Sequence, residues 1–200
     1  MSISYLDGEP HPTWTANPDG SRRRARCATL RTVTPLIDDL RHMTAAWDQS
    51  PTRLLIGSLA RVPFYPRFGA VISHRAAAWC WAHGLRPVAL WLQASSIRSA
   101  GAEIHPAALL GPGFAIIHSV GIVIGHEVVA GRNLVVYQGV TLGHTGTGPG
   151  QPRIGDNVRI GAGAKVLGPV HIGDGAWIGA NAVVLADVPA QAVATGIWRG

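Results

Sequence analysis

The nine histidines of this chain are its main stock of groups able to exchange protons near neutral pH, because an unperturbed imidazole titrates at about 6.5. His118 stands out among them. It lies in an irregular patch flanked by apolar residues, after Phe114-Ala115-Ile116-Ile117 and before Val120 to Val123. A neutral imidazole can accept the proton of a hydroxyl as that oxygen attacks, and such positioned help is typically worth about 10²–10⁴-fold. The other candidates are plainer. His105 precedes Pro106 and reads as structural, whereas His126 and His171 fall at turn or outward positions and should be solvated. Lys165 points outward, where it either meets a phosphate or needs no partner. Cys27 and Cys80 make neither a metal-ligand spacing nor a disulfide framework. A polar stretch, Gly143-His144-Thr145-Gly146-Thr147-Gly148-Pro149-Gly150-Gln151-Pro152-Arg153, reads as a protruding loop, and loops on rigid scaffolds concentrate binding chemistry.

What must hold these groups is legible from a repeat. An aliphatic residue recurs every six positions at Ile154, Ile160, Val166, Ile172, Ile178 and Val184, and glycine follows it at Gly155, Gly161, Gly173 and Gly179. Two places before the next aliphatic sits a small or β-branched residue: Val158, Ala164, Val170, Ala176, Ala182, Val188. The same register runs upstream through Ile124, Ala130, Val136 and Leu142. A period of six suits neither an amphipathic helix nor an alternating strand. It suits a solenoid coil with three flat sides, one hexad per side and the aliphatic pointing inward. The sequence therefore predicts a parallel β-helix over residues 101–197. Its first hexads, from Ile104 and Leu110, are two residues out of phase with Ile124 onward, so the patch holding His118 must absorb the slip. The loop between Leu142 and Ile154 is expected to replace one side of a coil, because that interval remains a multiple of six.

Ahead of the coil, residues 35–100 read as a helical domain. Leu36, Ile37, Leu40, Met43 and Trp47 share one helix face that Ser50-Pro51 should end. Further helices are expected from Thr52 to Ala60, from Phe68 to His83 with Gly84 as stop, and from Pro87 to Arg98. Their aromatic residues read as packing, and the helices should cap the open end of the first coil against edge-to-edge polymerisation. Residues 1–34 lack periodicity and predict an arm, poorly ordered or laid over another subunit. That arm carries Arg22, Arg23, Arg24, Arg26 and Arg31, part of the 17 Lys+Arg that exceed 11 Asp+Glu. Without interleaved aromatics it reads as a solvated arm, so no nucleic-acid partner is expected. Lacking both a signal-like segment and an apolar run of membrane-spanning length, the chain is expected to be cytoplasmic, with no membrane association.

Four stretches carry a family resemblance: Gly-Ala-Glu103-Ile-His-Pro-Ala-Ala, Ile117-His118-Ser-Val-Gly-Ile-Val-Ile-Gly, Tyr137-Gln-Gly-Val-Thr-Leu-Gly, and Ile160-Gly-Ala-Gly-Ala-Lys-Val-Leu-Gly. In order and spacing they resemble serine O-acetyltransferase, of the hexapeptide-repeat acyltransferases, over about residues 68–197. The resemblance implies a left-handed β-helix, a homotrimer or dimer of trimers with active sites between neighbouring coils, and acetyl-CoA as donor. It implies His118 as general base, Glu103 as the carboxylate that orients it, and a CoA track near Gly143, Ala162 and Ala180. On that reading Lys165 either meets a CoA phosphate or has no such role. His144, in place of a family glycine, either narrows the CoA channel or contacts the acceptor. No metal is implied.

Some of the family's pattern is missing. Ile117 stands where an Asp normally precedes the histidine, and Gly150-Gln151-Pro152 replaces Arg-His-Pro, removing a cationic pair expected near the serine carboxylate. The helical region has no clear match to the family's Asp-Pro-Ala segment. The acceptor is therefore either serine or another hydroxyl compound, such as a sugar, a carrier-bound amino acid or a natural-product intermediate. The ending Ile197-Trp198-Arg199-Gly200 lacks an extended isoleucine-terminated tail, so docking to cysteine synthase is not expected. Two other classes share the coil. A zinc carbonic anhydrase would need three converging histidines, a pattern that His118, His126 and His144 lack, and a non-catalytic scaffold would be indifferent to loss of His118.

Overall fold

The computed structural model describes residues 33–45, 50–146 and 149–200. Four helices come first: α1 (Val33–Thr44), α2 (Pro51–Arg61), α3 (Pro66–Ala82) and α4 (Arg86–Ala100). α1 ends at Thr44, so Ser50-Pro51 starts α2, whereas the sequence reading expected it to terminate α1. The reason is capping chemistry: the Ser50 side chain accepts from Arg53 N, and Pro51 occupies a first-turn place where its missing N–H is no loss. Gly84, with φ 76°, supplies the left-handed residue after α3. Trp47 and the arm up to residue 32 lie outside the described residues. Among the described residues no helix is long and apolar enough to cross a membrane.

The coil is a parallel β-helix of about five turns. Its first side is a six-stranded sheet of Ala102–Ile104, Ile122–Ile124, Thr141–Gly143, Lys165–Leu167, Val183–Val184 and Ile197–Trp198. The second side stacks Leu109–Leu110, Val129–Ala130, Arg153–Ile154 and His171–Ile172; the third stacks five strands from Ala115–Ile116 to Val193–Ala194. Each hexad aliphatic points inward, with Ile160, Val166, Ile172, Ile178 and Val184 all fully enclosed. The preceding small residues, among them Val158, Ala164 and Ala182, are enclosed too. At the corners there is no room for more: a Cβ on Gly161 would stand 2.7 Å from Ala180 N.

Register explains three irregularities. Ile104 pairs with Ile124 but Ile124 pairs with Leu142, so the first coil is two residues longer than the next. The extra length sits in the corner from Ile117 to Gly121, where the phase slip required it. The loop does not replace a side, contrary to expectation. Leu142 lies on the third rung of the first side and Ile154 pairs with Ala130 on the second, so the sides stay consecutive and the loop is a hexad inserted at their corner. An insertion and a replacement of six residues leave the same periodicity, and only strand pairing separates them. Finally, the regular hexads expected to run to Val188 stop after Val184. Val188 already bridges to Ile172, and the Asp187 carboxylate accepts from His171 N at 2.7 Å.

The helices lock onto the first coil. Ala70 and Val71 of α3 join the coil's own core cluster, closing its open end. Asp39 of α1 and Arg75 of α3 form a buried ion pair, Nε to Oδ2 at 2.7 Å and Nη2 to Oδ1 at 2.9 Å. Arg75 also donates to Leu110 O and Gly111 O, while Phe114 N donates to Asp39 Oδ1. Burial pushes the Asp39 carboxyl above its ordinary range, against the opposing pull of Arg75 and of the backbone donors. Two charges thus tie two helices to the backbone of one coil.

Candidate active site

The corner joining the third side to the first repeats down the molecule through backbone bonds. Gly121 N donates to Gly101 O, Gly139 N to Val120 O, Gly163 N to Gln138 O and Asn181 N to Ala162 O. His118 belongs to the widened first corner of this column and is exposed, whereas the following Ser119 is buried. Ala162, half-buried, and Ala180, exposed, stack lower on the same column. Glu103 faces outward from the first rung of the adjoining side, paired in register with Val123. Glu103 and His118 thus flank the same end of the first side. Within one chain no hydrogen bond or ion pair joins them.

At the far edge of that side lies the corner to the second, with the inserted loop. Gly143 is half-buried and its carbonyl accepts from Gly168 N. His144 is exposed, and its Nδ1 accepts from Gly146 N at 2.8 Å, which shapes the loop. Between the two corners, Lys165 Nζ folds back to donate to Gly139 O and to Thr141 Oγ1 on the rung before its own. The sequence left that lysine a choice between a phosphate and no partner; the coil itself holds it.

His105 is a packed ring, as its place before Pro106 suggested. It meets Trp81 edge-on at 5.2 Å and His126 at 5.6 Å, and its Nδ1 accepts from Ala107 N. Burial, and after it the charge of His126, lowers its pKa to about 4. His126 departs from the expectation of a solvated side chain. It is half-buried against His105, Gln151 Nε2 stands 3.3 Å from its Nδ1, and Glu127 lies 3.9 Å from its Nε2. The cause is Gln151, which turns inward: it is buried and its Oε1 accepts from Glu127 N. His171 is exposed, as expected.

Two buried groups were missed by sequence reasoning. His74 of α3 is sealed, with neither ring nitrogen partnered among the described residues, and meets the Phe114 ring edge-on at 6.5 Å; burial, then Arg75 and His105, lowers its pKa to about 3. Asp39 lies on the apolar face of α1, among Leu36, Leu40 and Met43, a placement that by itself signals a buried cation partner. A third missed residue, Arg67 of α3, donates from Nη1 to Ile117 O at 3.0 Å, next to His118. No cluster of three or more His, Cys, Asp or Glu able to hold a metal ion occurs among the described residues. His118 and His126 stand at opposite edges of the first side.

The chain is similar to known proteins in sequence and in fold. Residues 151–188 match the family model for bacterial transferase hexapeptide repeats. Over 135 residues the chain is 45% identical to a serine acetyltransferase of Synechococcus elongatus, covering 66% of this chain and 55% of that one. A serine acetyltransferase of Mycobacterium tuberculosis is 40% identical over 135 residues, 66% of this chain and 59% of its own. Among solved structures, Neisseria gonorrhoeae serine acetyltransferase in complex with serine superposes with a TM-score of 0.72 at 33% identity, over 83% of this chain and 67% of that chain. A serine acetyltransferase complex with CoA gives a TM-score of 0.68 at 36% identity, over 83% and 66%. The chain spans between half and two thirds of the length of the two curated relatives.

Proposed function

Because the chain belongs to the serine acetyltransferase family of hexapeptide-repeat transferases, we propose that it moves the acetyl group of acetyl-CoA onto the hydroxyl of serine or a related small acceptor. The observation that carries this reading is the widened corner: the one long corner of the first coil holds His118, at the head of the column bearing Ala162 and Ala180. The acceptor oxygen attacks the thioester carbonyl carbon while His118 takes its proton; the CoA sulfur then leaves and is protonated. Glu103 is assigned to orient the imidazole and to stabilise its protonated form. CoA is assigned to the column of small residues, with Gly143 and His144 at the neighbouring loop corner and Lys165 between. Backbone N–H groups near Gly143 are suited to the developing oxyanion.

We assign the active unit to a homotrimer, in which a neighbouring coil completes each site. Support comes from Glu103 and His118, which have no side-chain partner among the described residues, and from large apolar side chains left on the flat sides, including Leu109, Trp177 and Val193. A second reading of the acceptor is favoured by Gln151. Where the family carries a cationic pair, this residue is uncharged and buried at the base of the loop, bonded to its own chain. The loop therefore offers a serine carboxylate no cation at that place, which favours an acceptor other than free serine.

Thiol release from acetyl-CoA by the purified protein tests both readings, with serine, homoserine, simple sugars and amino alcohols as acceptors. His118→Ala should lower the rate by about 10²–10⁴-fold. Unchanged release in that variant would refute the enzyme assignment, and efficient turnover of serine would refute the changed acceptor.

A further inference from the structure

Beside the proposed base stands a cation with no counter-ion among the described residues. Arg67, at the start of α3, donates from Nη1 to the carbonyl of Ile117, the residue bonded directly to His118. Its guanidinium carbon lies 5.8 Å from the ring centre of Tyr65 and 5.3 Å from that of Phe68. No carboxylate comes within ion-pair distance of it among the described residues, unlike Arg75 and Arg41, each of which has an Asp. Nε is sealed from solvent without a partner, and Nη2 has no protein acceptor among the described residues. A part-buried guanidinium fixed by one carbonyl and two rings has already lost much of its rotamer freedom, so it can grip an anion at small further entropic cost. Tyr65 beside it is 53% exposed and Phe64 is 78% exposed, leaving an open aromatic lip at the same corner.

We propose that Arg67 is a specificity-determining residue: it binds a carboxylate on the acceptor and thereby aims the acceptor hydroxyl at His118. The inference rests on the reading of His118 as general base and names the substrate class, a hydroxyl compound that also carries an anionic carboxylate. It assigns to a helix the charge that the loop, with Gln151 turned inward, does not provide.

The test compares L-serine and L-homoserine with their uncharged carboxamides, in the wild type, in Arg67→Met and in Arg67→Lys. Two readouts are taken: kcat/KM with acetyl-CoA, and calorimetric binding of the acceptor alone. The wild type should favour each acid over its amide, and Arg67→Met should erase that preference through a rise of about ten- to hundredfold in KM or Kd for the acids. Arg67→Lys should keep part of it, since the charge remains but the planar guanidinium, held by one carbonyl and two rings, is lost. KM for acetyl-CoA and the constants for the amides should stay near wild type. A merely structural latch on Ile117 would instead depress acids and amides alike. That result, or an acid preference intact in Arg67→Met, or a wild type that binds acid and amide equally, overturns the proposal. If no acceptor supports thiol release, the acetyl-transfer reading fails separately, and the binding comparison still decides the role of Arg67.

Discussion

His105 accepts a hydrogen bond from Ala107 N on Nδ1, so the ring works in its corner only while that nitrogen is unprotonated. Burial lowers its pKa from 6.5 to about 4, and His74 falls to about 3, so the folded chain refuses protons that the unfolded chain takes. The stability tied to these neutral rings is complete above about pH 6.5 and is lost as pH falls through about 4 for His105 and about 3 for His74. Melting temperature should therefore drop across that interval, and His105→Asn should flatten the slope. Asp39, displaced upward, acts in the opposite sense above its ordinary 3.8, but it is common to both proteins and cancels in the comparison. Identical slopes would show that His105 is not held neutral. His118 was conspicuous because a two-residue slip had to fall on it. His126 was misjudged because its partner, Gln151, reaches it from beyond an inserted loop.

Among the elements, α1 and α3 are held to the coil by charge as well as by apolar packing. Removing one half of a buried pair leaves the other without compensation, a loss of about 3–5 kcal/mol. Arg75→Met should thus cost that much in urea unfolding, since Asp39 is wholly buried. Replacing Asp39 with Leu in the same chain should restore part of it, and a single variant as stable as wild type would deny the clamp its role. The helices were legible from apolar spacing, and the strands from the hexads. What stayed hidden was which end of a helix the Ser50-Pro51 signal belonged to, because a cap of α2 and a terminator of α1 draw on the same residues. The inserted loop was misread as a lost side for a similar reason: six residues added and six replaced leave equal phase.

As a whole molecule, the coil shows flat sides that are not uniformly polar. Leu109, Trp177, Val193 and Ile197 keep more than half of their surface exposed. Such surface on parallel flat faces favours side-by-side association, as the proposed trimer requires. Sedimentation at micromolar concentration should report three times the 21.0 kDa chain mass. A monomer with full acetyl-transfer activity would remove the need for a neighbour.

By itself the sequence determined the solenoid, its inward positions, the helical region ahead of it and the corner where an imidazole stands. These are properties of spacing, and a side chain every sixth residue faces the core whatever lies far away. Tertiary structure alone decided which distant groups meet. Arg67 reaches Ile117 across 50 residues, Arg75 reaches Asp39 across 36, and Gln151 reaches His126 across 25. Those meetings depend on how coils stack and where helices dock, and no local period records either.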